Sequence, residues 1–224
     1  MRSLIKCDEV PLSIAMRDDF LLSGEGGRGL ARARLWKVEG GSVGAPLSIF
    51  AEHGGPIFSV ALGDGVAISG SNDRTARVWA LTGRARSLGT LSHPVWVGSV
   101  SVVGALAATG SADCKVRLWS LAPGYPCVRT FAHCSSSDAV NLVCVRLTLG
   151  GGALLSGGPD GNLTLWSLEE ETVGELRVAS VKTLAHGASV RGLAAAASSG
   201  SSGGCIVSAG GAGKGRRNIR LWSC

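Results

Sequence analysis

The stretch S-G-S-N-D-R-T-A-R-V-W (residues 69–79) returns as T-G-S-A-D-C-K-V-R-L-W (residues 109–119) and S-G-G-P-D-G-N-L-T-L-W (residues 156–166). In each copy a Ser or Thr precedes an Asp by four residues, and the Asp precedes a Trp by six. An internal repeat of this kind means that one supersecondary unit is stacked several times. Such a stack builds a surface for partners more readily than a single reactive centre.

Working outward, the copies extend into a longer series. Trp36, Trp79, Trp119, Trp166 and Trp222 follow one another at intervals of 43, 40, 47 and 56 residues. Before each comes a short apolar segment closed by a turn: L-L-S-G (21–24), A-I-S-G (67–70), A-A-T-G (107–110), L-L-S-G (154–157) and I-V-S-A (206–209). Further upstream lie I-F-S-V-A (57–61), V-G-S-V-S (97–101), V-N-L-V-C (140–144) and V-R-G-L-A (190–194). Short apolar and β-branched runs punctuated by Gly, Asn and Asp are strands. A last run ends in a histidine at His53, His93, His133 and His186. Each unit therefore holds about four short strands. The extra length of the later units falls between strands, where insertion is tolerated.

These units resemble the WD-repeat β-propeller family, whose repeats of about 40–45 residues carry G-H and W-D signatures on four-stranded blades. The resemblance spans residues 1–224, with repeats near 3–36, 46–79, 86–119, 126–166 and 179–222. It is strong in the second, third and fourth repeats and degraded in the first and fifth. The Asp expected after the Trp is replaced by Lys37, Ala80, Ser120, Ser167 and Ser223. The implied fold is all-β, a β-propeller of four-stranded antiparallel blades. Five units make either a five-bladed ring or part of a larger, seven-bladed one. Residues 3–7 resemble a fourth strand, able to complete the last blade and hide its edge.

The resemblance also implies a hydrogen-bonded chain in each blade, from Trp indole to hydroxyl to imidazole to carboxylate, a sequence that donor and acceptor chemistry allows. The sets are His53, Ser69, Asp73 and Trp79; His93, Thr109, Asp113 and Trp119; and His133, Ser156, Asp160 and Trp166. The fifth repeat keeps His186, Ser208 and Trp222 but has Arg216 in place of the Asp, and the first keeps Ser23 and Trp36. Ser, His and Asp together also suggest a hydrolase triad. Three copies, each ending in Trp, suit a scaffold instead, so no catalytic residue is assigned. The G-x-G-x-x-G match at residues 24–29 has no helix after it, and the Gly-Lys-Gly at 213–215 lacks the hydroxyl of a phosphate loop. Both read as interstrand loops.

Composition narrows the setting. The 224 residues include 34 Gly, which read as turns, and 11 aromatic residues of which six are Trp. The seven cysteines form no C-x-x-C pair, which fits reduced thiols and neither a disulfide framework nor a zinc site. No apolar run is long enough for a membrane span or a signal peptide. A cytoplasmic or nuclear protein without cofactor or metal is expected, not a secreted one. The sequon at Asn162 lies within a repeat strand.

A net charge of +6, with 17 Arg among 22 basic residues, permits an acidic partner. Arg34, Arg77, Arg117 and Arg220 each stand two before a Trp and belong to the strand pattern. The turns between the second and third strands carry Arg28, Arg32, Arg74, Lys115, Lys214, Arg216 and Arg217 against Glu25, which predicts a basic rim. The acidic run at 169–171 falls on the opposite rim. Starts of first strands point to the basic side in this family, and contribute Phe58, Trp96, Gly98, Asn141 and Arg191. An aromatic residue beside arginine is hot-spot chemistry. The expected function is a non-enzymatic scaffold or adaptor that binds an acidic or phosphorylated protein segment on this rim. Two alternatives stand beside it. One is phosphodegron recognition in a ubiquitin ligase complex. The other is an accessory subunit in RNA or tRNA modification, which the stretch H-G-G-P-I-F-S-V (53–60) favours.

Overall fold

The computed structural model describes residues 9–27, 31–82, 86–134, 144–148, 152–172, 175–197, 204–212 and 216–223. All regular structure in them is β. The strands are β1 (Pro11–Arg17), β2 (Phe20–Glu25), β3 (Ala33–Glu39), β4 (Ser42–Val43) and β5 (Ser48–Phe50) in the first sheet. The second sheet holds β6 (Ile57–Leu62), β7 (Val66–Ser71), β8 (Thr75–Ala80) and β9 (Ser87–Ser92). The third holds β10 (Val97–Val103), β11 (Leu106–Ser111), β12 (Lys115–Ser120) and β13 (Cys127–Ala132). The fourth is β14 (Cys144–Leu147), β15 (Ala153–Gly157), β16 (Asn162–Thr172) and β17 (Glu175–Ala185). The last is β18 (Val190–Ala197), β19 (Gly204–Ala212) and β20 (Arg216–Ser223).

Within each sheet the strands follow chain order, β1-β2-β3-β5, β6-β7-β8-β9, β10-β11-β12-β13, β14-β15-β16-β17 and β18-β19-β20, with β4 as a short hairpin on β3. This is a five-bladed β-propeller of mostly four-stranded antiparallel blades. Blade 5 has three strands among the described residues, and the strand expected at residues 3–7 lies outside them. The chain divides into two compact units, Met1–Val102 and Val103–Cys224.

In the first unit, blade 2 stacks on blade 1. Leu22, Ala33, Leu35 and Phe50 of blade 1 pack against Ile57, Val60, Ala67 and Trp79 of blade 2 in one buried cluster. Full burial of one such aliphatic side chain contributes about 1.5–3 kcal/mol. The glycine after the serine in the second strands of blades 1 and 2 has a packing cause. A Cβ on Gly24 would stand 2.7 Å from Ile57 and 2.8 Å from Val60, and one on Gly70 would stand 2.9 Å from both Val97 and Val100. The next blade's first strand comes too close for any side chain.

Serine hydroxyls in the first strands add a polar tie that the sequence reading missed. Ser13 Oγ accepts the Val60 N–H at 3.1 Å, and Ser59 Oγ accepts the Val100 N–H at 3.0 Å.

In the second unit, Ala108, Val116 and Leu118 pack with Val145, Leu147 and Leu154. Val190 of blade 5 would meet a Cβ on Gly157 at 2.5 Å. Strands β16 and β17 are eleven residues each and paired along their length, so the acidic run at 169–171 lies near the tip of a long hairpin that continues past Trp166.

Candidate partner-binding site

The predicted network can be followed blade by blade. In blade 2, Trp79 Nε1 donates to Ser69 Oγ at 2.7 Å, and Ser69 Oγ lies 2.7 Å from His53 Nε2. His53 Nδ1 lies 2.7 Å from Asp73 Oδ2. Asp73 also accepts from the Gly54 N–H at 2.9 Å, the Thr75 N–H at 2.9 Å and the Thr75 hydroxyl at 2.6 Å. With Nδ1 protonated, every group in the line has its partner. Burial alone would push the Asp73 carboxyl upward. The hydrogen bonds from His53, Thr75 and Gly54 outweigh it and hold Asp73 well below the usual carboxylate range.

The other blades depart from this pattern. Trp119 Nε1 donates to Thr109 Oγ1 at 2.9 Å. Asp113, expected to serve a histidine, is instead held by Arg117 Nη2 at 2.6 Å, by Ser111 and by the Lys115 N–H at 3.2 Å. Against the upward push of burial, the Arg117 bond leads the contacts that keep its carboxyl low. His93 Nδ1 donates to the Leu91 carbonyl at 3.0 Å.

In blade 4 the ring is turned over. His133 Nδ1 faces Ser156 Oγ at 2.8 Å, and Trp166 Nε1 donates to the same hydroxyl at 2.8 Å. Nε2 sits 3.3 Å from Asp160, too poorly aligned for a hydrogen bond. Burial lowers the His133 pKa despite that carboxylate.

In blade 5, His186 Nδ1 meets Ser208 Oγ at 2.8 Å, while its buried Nε2 has no hydrogen-bond partner among the described residues. Burial first, then the Arg220 charge, lowers the His186 pKa. The side chains of Arg216 and Trp222 lie outside the described residues.

Blade 1 carries a different cluster. Ser23 Oγ donates to Glu25 Oε1 at 2.9 Å, and Arg34 Nη1 lies 3.6 Å from Glu25 Oε2. Glu25 was expected on the basic rim, but it is fully buried. A short carboxylate that can reach Ser23 and Arg34 is drawn inward by them.

The strand-pattern arginines are held internally, as their position before Trp suggested. Arg77 pairs with Glu52 at 2.6 Å, Arg117 with Asp113, and Arg220 donates to the Ala185 carbonyl at 3.0 Å. They do not form a free basic patch.

Three of the candidate binding residues lie in the first unit. Phe58 and Trp96, both half-buried, meet edge to face with ring centroids 5.3 Å apart. Phe58 is the unpaired residue of a β-bulge, because Ile57 pairs with Ser71 and Ser59 with Gly70. A bulge re-aims the side chain it carries. Arg74 is exposed at the β7–β8 turn with φ +68°. That turn is tied to both aromatic segments. The Asn72 N–H donates to the Pro56 carbonyl at 2.9 Å, and the His93 N–H to the Arg74 carbonyl at 2.9 Å. Asp73, the adjacent carboxylate, is turned inward to His53, so it does not neutralise Arg74.

The remaining candidates lie in the second unit or outside the described residues. Lys115 is exposed at the start of β12. Arg191 is exposed on β18, at a bulge equivalent to that of Phe58, since Val190 pairs with Gly210 and Gly192 with Ala209. The side chains of Arg216 and Arg217 and the whole of Asn141 are outside the described residues, as are Arg28 and Lys214. Sequence reading had no means to find the bulges, because a bulge is a mismatch between paired strands.

Cys127 and Cys144 are free thiols, and burial pushes the Cys144 thiol up to about 12. Among the described residues no cluster of His, Cys, Asp or Glu could hold a metal ion, and no helix is long and apolar enough to cross a membrane.

Residues 44–80 and 85–120 each match the family described as WD domain, G-beta repeat. No curated protein matches the chain. Among solved structures, the computationally designed Ika8 protein aligns over 95% of this chain with a TM-score of 0.64 and 21% identity. The chain spans 57% of that protein's length. The computationally designed Ika4 protein aligns over 75% of this chain and 97% of its own, with a TM-score of 0.58 and 17% identity. At these identities the likeness is one of fold. Repeat match and blade architecture agree: two stretches of the chain match the WD domain, G-beta repeat, and they lie in a β-propeller fold.

Proposed function

We propose that this propeller is a non-enzymatic interaction platform that takes an acidic or phosphorylated protein segment at the rim carrying Phe58, Trp96 and Arg74. WD40 propellers are commonly protein-interaction scaffolds and typically non-catalytic. The observation that carries the finer reading is the shared anchoring of the Arg74 turn and the two aromatic segments. It supports reading the exposed Arg74 and the aromatic pair as parts of one rim. An arginine fork recognises carboxylate or phosphate in two-point fashion, and an aromatic pair supplies apolar contact area at little entropic cost. Arg191 and Lys115 would extend this chemistry in the second unit. Phosphodegron recognition within a ubiquitin ligase is a narrower form of the same proposal.

The test is an array of phosphoserine and phosphothreonine peptides with their unmodified and glutamate counterparts, read with the full chain. Binding should fall at least about tenfold in Arg74→Ala and in Trp96→Ala, as for hot-spot residues. Peptide binding indifferent to both substitutions overturns the site. RNA binding with steep salt dependence would favour the RNA-associated reading instead.

A further inference from the structure

The β-bulge that carries Phe58 has a counterpart in blade 1. Pro11 pairs with Glu25 and Ser13 with Gly24, which leaves Leu12 outside the register. The serine after each bulge fixes the equivalence, because Ser13 and Ser59 each accept an amide from the first strand of the next blade. A bulge re-aims the side chain it carries. Leu12 is 44% exposed, although it stands in a strand whose sheet packs tightly against blade 2.

Leu12 has apolar company across the blade boundary. A Cβ on Gly26 would lie 3.1 Å from Leu12 Cδ1 and 2.5 Å from Pro56 Cβ. The leucine of blade 1 and the proline of blade 2 therefore flank one buried glycine. The Gly26 N–H donates to the carbonyl of Val10, itself exposed, at 3.1 Å, which holds the start of β1 against the end of β2. Pro56 stands two residues before Phe58, whose ring meets Trp96. A row of apolar side chains thus runs from Leu12 through Pro56 to Phe58 and Trp96, all within the first unit. Single exposed apolar residues are ordinary, whereas a contiguous row marks an interaction site.

The charges along this row differ from end to end. Glu9 sets its carboxylate against Gly27, on the Leu12 side. Arg74 is exposed on a turn tied to Pro56 through the Asn72 N–H and to the loop before Trp96 through the His93 N–H. Asp73 is turned inward to His53. A carboxylate or phosphate on a ligand is repelled at the Leu12 end and drawn to the Arg74 turn.

We propose that Leu12 and Pro56 form an apolar subsite for the segment whose acidic or phosphorylated residue Arg74 takes, and that this segment carries a bulky apolar side chain a few positions from that residue. The inference rests on the reading of this rim as the binding face. The occupant is a linear stretch of a partner protein, matched in charge at one end of the row and in hydrophobicity at the other. Leu12 and Arg74 belong to adjacent blades, and packed sheets lie about 10 Å apart. An extended chain advances about 3.3–3.6 Å per residue. The two anchors of the segment are therefore about three positions apart.

The test is fluorescence anisotropy of the full chain with phosphoserine peptides that carry one leucine, placed one to five positions to either side, and glycine elsewhere. Leucine about three positions away should tighten binding at least about tenfold over the all-glycine peptide, as for a buried aliphatic side chain. Leu12→Ser should abolish that gain and leave the all-glycine peptide unaffected, while Leu12→Met should retain it. Arg74→Ala should weaken both peptides. Circular dichroism verifies that each variant is folded. Equal affinities for all the peptides, or a leucine gain that survives Leu12→Ser, overturn the subsite and leave the rim standing. Phosphopeptides that all fail to bind, or that bind Arg74→Ala as well as the parent, overturn the rim and the subsite with it.

Discussion

His53 Nδ1 and Asp73 Oδ2 lie 2.7 Å apart, and this contact fastens the His53 loop to the β7–β8 turn. Asp73 serves His53, Gly54 and Thr75 at once. Removing the carboxylate leaves a buried imidazole and two backbone amides without an acceptor. Asp73→Ala should cost about 3 kcal/mol of stability in urea unfolding. Asp113 serves chiefly Arg117, which keeps its bond to Ser111 when the carboxylate is removed, so Asp113→Ala should cost about 1 kcal/mol. Equal losses would mean that the histidine adds nothing to the blade.

Acid should weaken the protein in two stages. His133 and His186 have pKa values lowered below the ordinary 6.5. Below that pH the unfolded chain takes up protons that the folded one refuses, so stability falls as pH drops through 6.5 toward the folded values. Asp73 and Asp113 are also lowered, from an ordinary 3.8. Their contribution is intact above 3.8 and is lost only as pH falls below it toward their folded values. Hydrogen exchange across pH should show amides of blades 4 and 5 opening first. Substituting Gln for both His133 and His186 should flatten the upper stage and leave the lower one in place.

The close approach at Gly70 can be probed by a single methyl. Val97 and Val100 leave no room for a Cβ there. Gly70→Ala should therefore cost about 1–3 kcal/mol, in the range of overpacked cores. A neutral Gly70→Ala in thermal unfolding would show that the blades can separate freely.

Much of this arrangement was legible because it repeats. The Ser–Asp–Trp copies marked strand positions, and the resemblance they carry implied the hydroxyl-to-indole bonds, while the number of blades stayed open between five and seven. What differs between copies was harder to read. Asp113 turns to Arg117 because an arginine two before Trp119 is within reach, and the same arginine in blade 2, Arg77, finds Glu52 instead. Glu25 looked like a rim charge and is buried with Ser23 and Arg34. The bulge at Phe58 depends on how β6 pairs with β7, which composition does not encode. Residues 169–172 continue a strand beyond Trp166 because β17 offers a partner of equal length.

Arg74 sets stability against binding. Its φ of +68° costs a side chain about 1 kcal/mol relative to glycine, and Gly161 holds the matching turn of blade 4 at +76°. The gain from glycine is reduced by the greater freedom it gives the unfolded chain. Arg74→Gly should thus be neutral to about 0.5 kcal/mol stabilising, while Arg74→Ala, which keeps the strained backbone, should not stabilise. Both should lose the proposed acidic ligand. Urea unfolding and peptide binding on the same samples separate the two effects. If Arg74→Gly binds as well as the parent, the backbone conformation rather than the guanidinium shapes this rim.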